Sequence, residues 1–163
     1  MNIIIKKHFL FYQGYKLKCS IGKSGIISLK KEGDLATPKG IFGLGILYYR
    51  KDRNESLKSK IKKRVIKKNM GWCHDNRSKK YNQEIRFPFK YKAEKLYRKD
   101  NIYDIFINIK YNYHPIIKGK GSAIFLHLSN INYKPTSGCI AIVKKKFLKI
   151  LPLINKKTRI SIR

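Results

Sequence analysis

Along the chain, apolar positions come in short bursts rather than in long helical stripes. Residues 3–5, 9–12 and 15–20 are brief apolar or alternating runs rich in β-branched and aromatic side chains, the pattern of half-buried strands. Gln13-Gly14 between two of them predicts a hairpin turn, and Gly22-Lys23-Ser24-Gly25 a further bend. Residues 32–40 read as a loop, with Gly, Asp, Pro and Gly in close succession, and residues 41–49 return to an extended run. The character changes over residues 51–68, where lysines crowd around Leu57, Ile61, Val65 and Ile66. That spacing predicts either a weak amphipathic helix or a solvated insertion. Residues 71–86 are polar and irregular around Trp72, and 93–97 predict a short helical turn. Strands are expected at 101–109, 122–128, 140–143 and 159–162, and a short helix at 144–153 that Pro152 ends. No internal repeat or linker interrupts the pattern, so the expectation is one mostly-β domain with short helices over residues 1–163.

The composition permits such a domain: 163 residues, 42% of them hydrophobic, suffice for one core. No stretch approaches the roughly 20 apolar residues of a membrane helix. Lys6, Lys7 and His8 cut short the apolar run at 3–5, which does not make a secretory signal. The expected location is therefore the cytoplasm, with the periplasm open only through an export route the sequence does not display. Charge is lopsided, with 39 Lys+Arg against 9 Asp+Glu and a formal net charge of +30. The 31 lysines accompany 25 Ile and 11 Asn, all residues of AT-rich codons, whereas Arg numbers only 8. Such a chain attracts polyanions without regard to sequence. The scarcity of Arg argues against a specific nucleic-acid reader, since Arg makes the bidentate base and phosphate contacts. A basic binding protein for nucleic acid or another polyanion remains the alternative to an enzyme. Cys19, Cys73 and Cys139 are odd in number and form no C-x-x-C pair, which suits a reducing compartment. Cys73-His74-Asp75 has no recurring ligand spacing, so no metal is expected.

The segment 121–143 carries the candidate chemistry. His127 ends a buried run, and Cys139 follows Ser137-Gly138 just before another. A thiol beside an imidazole is the minimum apparatus for nucleophilic acyl transfer, and a neighbouring imidazolium lowers the thiol pKa. Gly138 would let the backbone approach a substrate, and the N–H groups around Gly138 and Cys139 would form an oxyanion hole. Taken alone, the two residues fit better a small core cysteine and a satisfied strand-end histidine.

The wider pattern resembles the YkuD-type L,D-transpeptidase family. Thr136-Ser137-Gly138-Cys139 is similar to its S/T-x-G-C nucleophile motif, with His127 upstream. Thr37-Pro38-Lys39-Gly40-Ile41-Phe42 is similar to its T-P-x-G-x-F segment, in the variant preceded by Glu32-Gly33-Asp34. Gly71-Trp72-Cys73, Tyr111-Asn112 and 121–127 add to the resemblance, which runs from about residue 22 to 163. It implies a β-sandwich-like domain without cofactor, acting on peptidoglycan stem peptides or muropeptides. Cys139 would attack an L-centre carbonyl followed by D-Ala, with His127 as base and then acid. Water on the resulting thioester gives a tripeptide (L,D-carboxypeptidase activity in wall recycling), and an amine gives a 3→3 cross-link. Cytoplasmic residence favours water. Thr136, Ser137, Trp72, Asn112 and Ser122 are the candidate substrate contacts, Trp72 being as well suited to anchoring its loop. Ser129 would fix the His127 tautomer, and Asp34 would shape its loop. The family often carries His where Ser137 stands and Asn or Arg where Ala141 stands, so the group that grips a substrate carboxylate is unassigned.

Overall fold

The computed structural model describes residues 2–163; the first residue of the expected domain lies outside them. Strands β1 (Ile3–Lys6), β2 (Phe9–Tyr12) and β3 (Tyr15–Lys18) form a meander. Gln13 (φ 48°) and Gly14 (φ 81°) take the two left-handed conformations that a tight hairpin turn needs. A two-residue pair, β4 (Ile26–Ile27) with β5 (Thr37–Pro38), precedes the long strand β6 (Gly40–Tyr49). Then come β7 (Lys63–Val65), β8 (Met70–Cys73), β9 (Glu84–Arg86), β10 (Ala93–Lys95), β11 (Ile105–Ile109), β12 (Phe125–Ser129) and β13 (Ile140–Val143). Helix α1 (Lys144–Ile150) and β14 (Arg159–Ile162) complete the chain.

The main sheet runs β13-β12-β11-β6-β14-β1-β2-β3, with β7 also on β6. Its two ends meet: Ser20, just past β3, exchanges both backbone hydrogen bonds with Ala141 of β13, at 2.8 and 3.0 Å. The sheet therefore wraps around the principal core, which holds Ile3, Leu10, Leu47, Ile107, Leu126 and Phe147. Strand β11 is buried along its whole length. Its alternation sends Ile105 and Ile107 into that core and Phe106 to the other face. There an aromatic cluster of Tyr48, Trp72, Tyr103, Phe106 and Phe125 is covered by the three-stranded sheet β10-β8-β9.

Three expectations change. Residues 51–68 form no amphipathic helix: one 3-10 turn (Lys51–Arg53) is followed by irregular chain and β7, which pairs parallel to β6. Leu57 and Ile61 still reach the main core, from backbone that is not helical. Residues 71–86 contain two strands, with Trp72 inside one, and 93–97 contain β10 rather than a helical turn. Among the described residues no helix is long and apolar enough to cross a membrane.

Candidate active site

Cys139 stands immediately before β13. The parallel register of β12 and β13, Leu126 opposite Ile140 and His127 opposite Ala141, sets it beside Phe125. Side chains two apart on a strand share a face, so Phe125, His127 and Cys139 all lie on the aromatic side of the sheet. Strand geometry puts the Cα atoms of His127 and Cys139 about 8 Å apart, within convergence of two side chains. Both open onto one cavity of about 700 Å³.

The resting thiol is held on two sides. The Phe125 N–H donates to its sulfur at 3.3 Å, and the S–H donates to the Ala123 carbonyl at 3.1 Å. Burial pushes the thiol up to about 12; the Glu94 charge adds to this, and the Phe125 N–H and Lys30 oppose it. The His127 imidazole is brought down to about 4 by burial. Its Nδ1 lies 2.8 Å from the Leu128 carbonyl, which can only accept, so Nδ1 carries the proton and Nε2 keeps its lone pair. Tyr103 packs edge-on against the ring at 5.4 Å. Burial thus favours a neutral thiol beside a neutral imidazole, and no imidazolium is at hand to lower the thiol. Ser129 does not orient the ring: its hydroxyl donates to the Asn130 carbonyl at 2.9 Å.

The turn before Cys139 is tied to residues a hundred positions upstream. Thr136 is bridged to the strand-like segment at Gly22, donating its N–H to Ile21 at 2.9 Å and accepting from Lys23 at 2.9 Å. Its hydroxyl donates to the Cys139 carbonyl at 2.6 Å and accepts the Gly138 N–H at 3.2 Å. Gly138 has φ +134°, and a Cβ there would sit 2.7 Å from the Ala36 carbonyl oxygen. Glycine is thus required by backbone packed against backbone, not by a substrate, and the Gly138 N–H is committed to Thr136 rather than free as an oxyanion donor. Thr37 accepts the Gly22 N–H at 2.8 Å and donates to the Gly138 carbonyl at 2.9 Å. Asp34 holds this upstream loop, taking the N–H groups of Lys31 and Ala36 and the Lys30 ammonium.

Two separated motifs thus meet at one cysteine, in a domain whose sequence matches the family model of the YkuD L,D-transpeptidase catalytic domain over residues 3–162. The chain belongs to this family. It is accordingly an L,D-transpeptidase-type peptidoglycan enzyme. Comparison with curated proteins finds no match.

The remaining candidates of this L,D-transpeptidase domain divide. Ser122, Thr136 and Ser137 line the cavity with Cys139 and His127; the buried Ser122 hydroxyl has no partner among the described residues. Trp72 does not line it. Its ring is buried against Phe125 and Tyr48, and its Nε1–H donates to Asn82 Oδ1 at 3.0 Å, so it is an anchor rather than a cover. Asn112 does not line it either: its amide holds Ile117 and Gly121 at 2.8 to 2.9 Å and so shapes its own loop. Cys73, His74 and Asp75 do not converge; Asp75 is engaged by Arg77 and the Lys92 N–H. Among the described residues no group of three or more potential metal ligands forms.

Sequence reasoning missed four residues. Asn82 accepts from both Trp72 and the Ala123 N–H, and thereby fixes the carbonyl that holds the thiol. Glu94, Arg98 and Tyr103 line the cavity. A usable signal was rarity: with so few acidic residues, every one but Glu55 has a specific hydrogen-bond or ion-pair partner. Arginines behave alike, five of the 8 forming ion pairs, whereas Lys30 alone among the lysines does so within the described residues.

Proposed function

We propose that the protein cleaves the L-centre–D-Ala bond of peptidoglycan tetrapeptide stems through a thioester on Cys139. The observation that carries this reading is that Cys139 and His127 line one cavity, with the His127 proton placed on Nδ1 by the Leu128 carbonyl and Nε2 left unprotonated. Nε2 takes the thiol proton as sulfur attacks the carbonyl carbon. Collapse of the tetrahedral adduct breaks the C–N bond, and the imidazolium returns the proton to the departing D-Ala amine. Water then gives a proton to Nε2 and attacks the thioester, releasing a tripeptide and restoring the thiol. Backbone donors around the sulfur favour the charged stages: the Phe125 N–H already opposes the burial of the thiolate.

Water is the proposed acceptor, with free muropeptides of wall recycling in the cytoplasm as substrates; an amine acceptor in the same step would give the 3→3 cross-link. Incubation of the protein with a disaccharide-tetrapeptide, read by mass spectrometry beside Cys139→Ala, tests this. Tripeptide from the wild type only supports hydrolysis. Cross-linked dimer would replace water by an amine. Unchanged substrate in both proteins would overturn the enzyme reading in favour of a basic binding protein, whose affinity for polyanions falls steeply with salt.

A further inference from the structure

All 9 acidic residues fall between Glu32 and Asp104, so residues 2–31 and 105–163 carry no acidic side chain. Strands β1, β2, β3 and β14 are drawn from those two segments and lie side by side in the main sheet. Ile3, Ile5, Leu10 and Leu17 enter the core, so alternation turns Ile4, Lys6, Phe9, Phe11, Lys16 and Lys18 outward. The register gathers these in two rows: Ile4, Phe11 and Lys16 in one, Lys6, Phe9 and Lys18 in the other. The first row runs on through Ser161 of β14 to Ile41 of β6. Arg163 lies on the same face, its Nε donating to the Ser161 hydroxyl at 3.2 Å.

Phe9 is 38% exposed and Ile41 55%. Lys6, Lys16 and Lys18 are exposed and have no carboxylate partner. The Lys16 ammonium sits 4.8 Å from the Phe9 ring centre, so a cation rather than an anion borders the ring. An apolar strip rimmed by unneutralised cations suits a partner that is apolar within and anionic at its surface, as a bilayer with anionic headgroups is. Nucleic acid fits less well. The Phe9 and Phe11 rings are 6.4 Å apart and tilted by 46°, which gives no parallel platform for stacked bases. Ile4 and Ile41 offer no π-face, and lysine supplies point charges rather than the forks that grip single phosphates. Because the sheet wraps around its core, this outer face is convex, a shape for a broad deformable surface rather than for a groove along a strand. None of the outward residues lines the Cys139 cavity, so the face and the active site are separate surfaces.

We propose that the outer face of β1, β2 and β3 docks the protein on a bilayer of anionic phospholipid. Phe9, Phe11 and Ile4 enter the headgroup region, and Lys6, Lys16, Lys18 and Arg163 meet the lipid phosphates. The inference rests on none of the chemistry assigned to Cys139.

Sedimentation of the full chain with vesicles of phosphatidylcholine, alone or mixed with phosphatidylglycerol, tests it at physiological salt. The wild type should bind the mixed vesicles and not the neutral ones. Replacing Lys6, Lys16 and Lys18 together by Gln should weaken binding by about thirtyfold or more, since a charge counts only within a Debye length of the surface. The same change at Lys67, Lys68 and Lys79, exposed but outside this face, should weaken it by less than about threefold. Phe9→Trp supplies a depth probe: brominated acyl chains should quench the introduced indole but not the buried Trp72 of the wild type. Unchanged thermal unfolding shows that each variant is folded. Equal losses in the two triple variants would mean diffuse attraction by net charge and overturn the proposal, as would an unquenched Phe9→Trp or a wild type that ignores the mixed vesicles. Binding of single-stranded DNA that falls with the face lysines while vesicle binding does not would assign the face to nucleic acid instead.

Discussion

The Thr37 hydroxyl donates to the Gly138 carbonyl at 2.9 Å, joining positions 101 residues apart in the chain. It accepts the Gly22 N–H as well, and Thr37 is fully buried. One side chain thus locks the turn that presents Cys139 to the loop that flanks it. Thr37→Val keeps the shape and removes both bonds. With a donor and an acceptor stranded, stability should fall by about 2–4 kcal/mol in denaturant unfolding. The loosened turn should lower kcat by at least about tenfold in tripeptide release. A kcat within twofold of the wild type would show that the turn holds its geometry without Thr37.

How far the sequence reveals this arrangement depends on which interactions shaped each segment. The hairpin at Gln13-Gly14 and the strands at 3–5, 9–12 and 159–162 were legible because turn chemistry and β-branched residues agree with their final pairing. Ala-Glu-Lys-Leu at 93–96 favours helix by local propensity, yet pairing with β8 and burial of Leu96 turn it into strand. Leu57, Ile61 and Val65 match a helical period by coincidence: Val65 pairs with Tyr49 across β6, and Leu57 and Ile61 enter the core from irregular chain. Motif residues marked the site because their chemistry is tied to short spacings. Asn82 carried no mark in the sequence, and Glu94 and Arg98 only the rarity of their charge type, since the small sheet and the chain leading into and out of it bring them to the cavity wall or its backing.

Asn82 is the hub behind the nucleophile. Buried, it accepts from Trp72 and Ala123 through Oδ1 and donates to the Tyr111 and Asn112 carbonyls through Nδ2. Asn82→Ala strands buried partners at once and should cost about 3–5 kcal/mol. By releasing Ala123, it should also depress kcat more than it changes KM. Trp72→Phe removes one of those bonds and part of a buried ring. It should cost about 1–3 kcal/mol with KM within twofold, because Trp72 does not line the cavity. A KM raised tenfold in Trp72→Phe would place the indole against substrate after all. Unfolding curves and steady-state kinetics on the same preparations separate these outcomes.

The charge imbalance has a testable internal structure. Lys145 and Lys157 are exposed and have no carboxylate partner, so changing both to Gln should move stability by less than about 0.5 kcal/mol. Arg53 instead pairs with Asp104 at 2.8 Å, and the Asp104 side chain is 6% exposed. Arg53→Gln leaves that carboxylate without its charge partner and should cost about 2–4 kcal/mol, which thermal unfolding would resolve. Equal losses in the two proteins would contradict the division between paired arginines and solvated lysines.

Burial of His127 makes a signed prediction about pH. The imidazole ionises near 4 when folded and near its ordinary 6.5 when unfolded. Between those values the unfolded chain binds the extra proton, so stability due to this group is fully present above 6.5 and is lost as pH falls toward 4. The loss amounts to on the order of 3 kcal/mol. His127→Gln should flatten that part of the stability profile while the paired carboxylates continue to titrate below it. The same neutrality sets the rate. General-base action needs unprotonated Nε2, so the acid limb of kcat/KM should fall near pH 4 rather than near 6.5, measured in assays short enough to precede acid unfolding. The thiol, pushed up to about 12, should leave no ionisation of its own between that limb and pH 9. An acid limb at 6 to 7 would mean that the imidazole is exposed to solvent in the working enzyme, and the neutral-pair mechanism would then give way to a preformed thiolate and imidazolium.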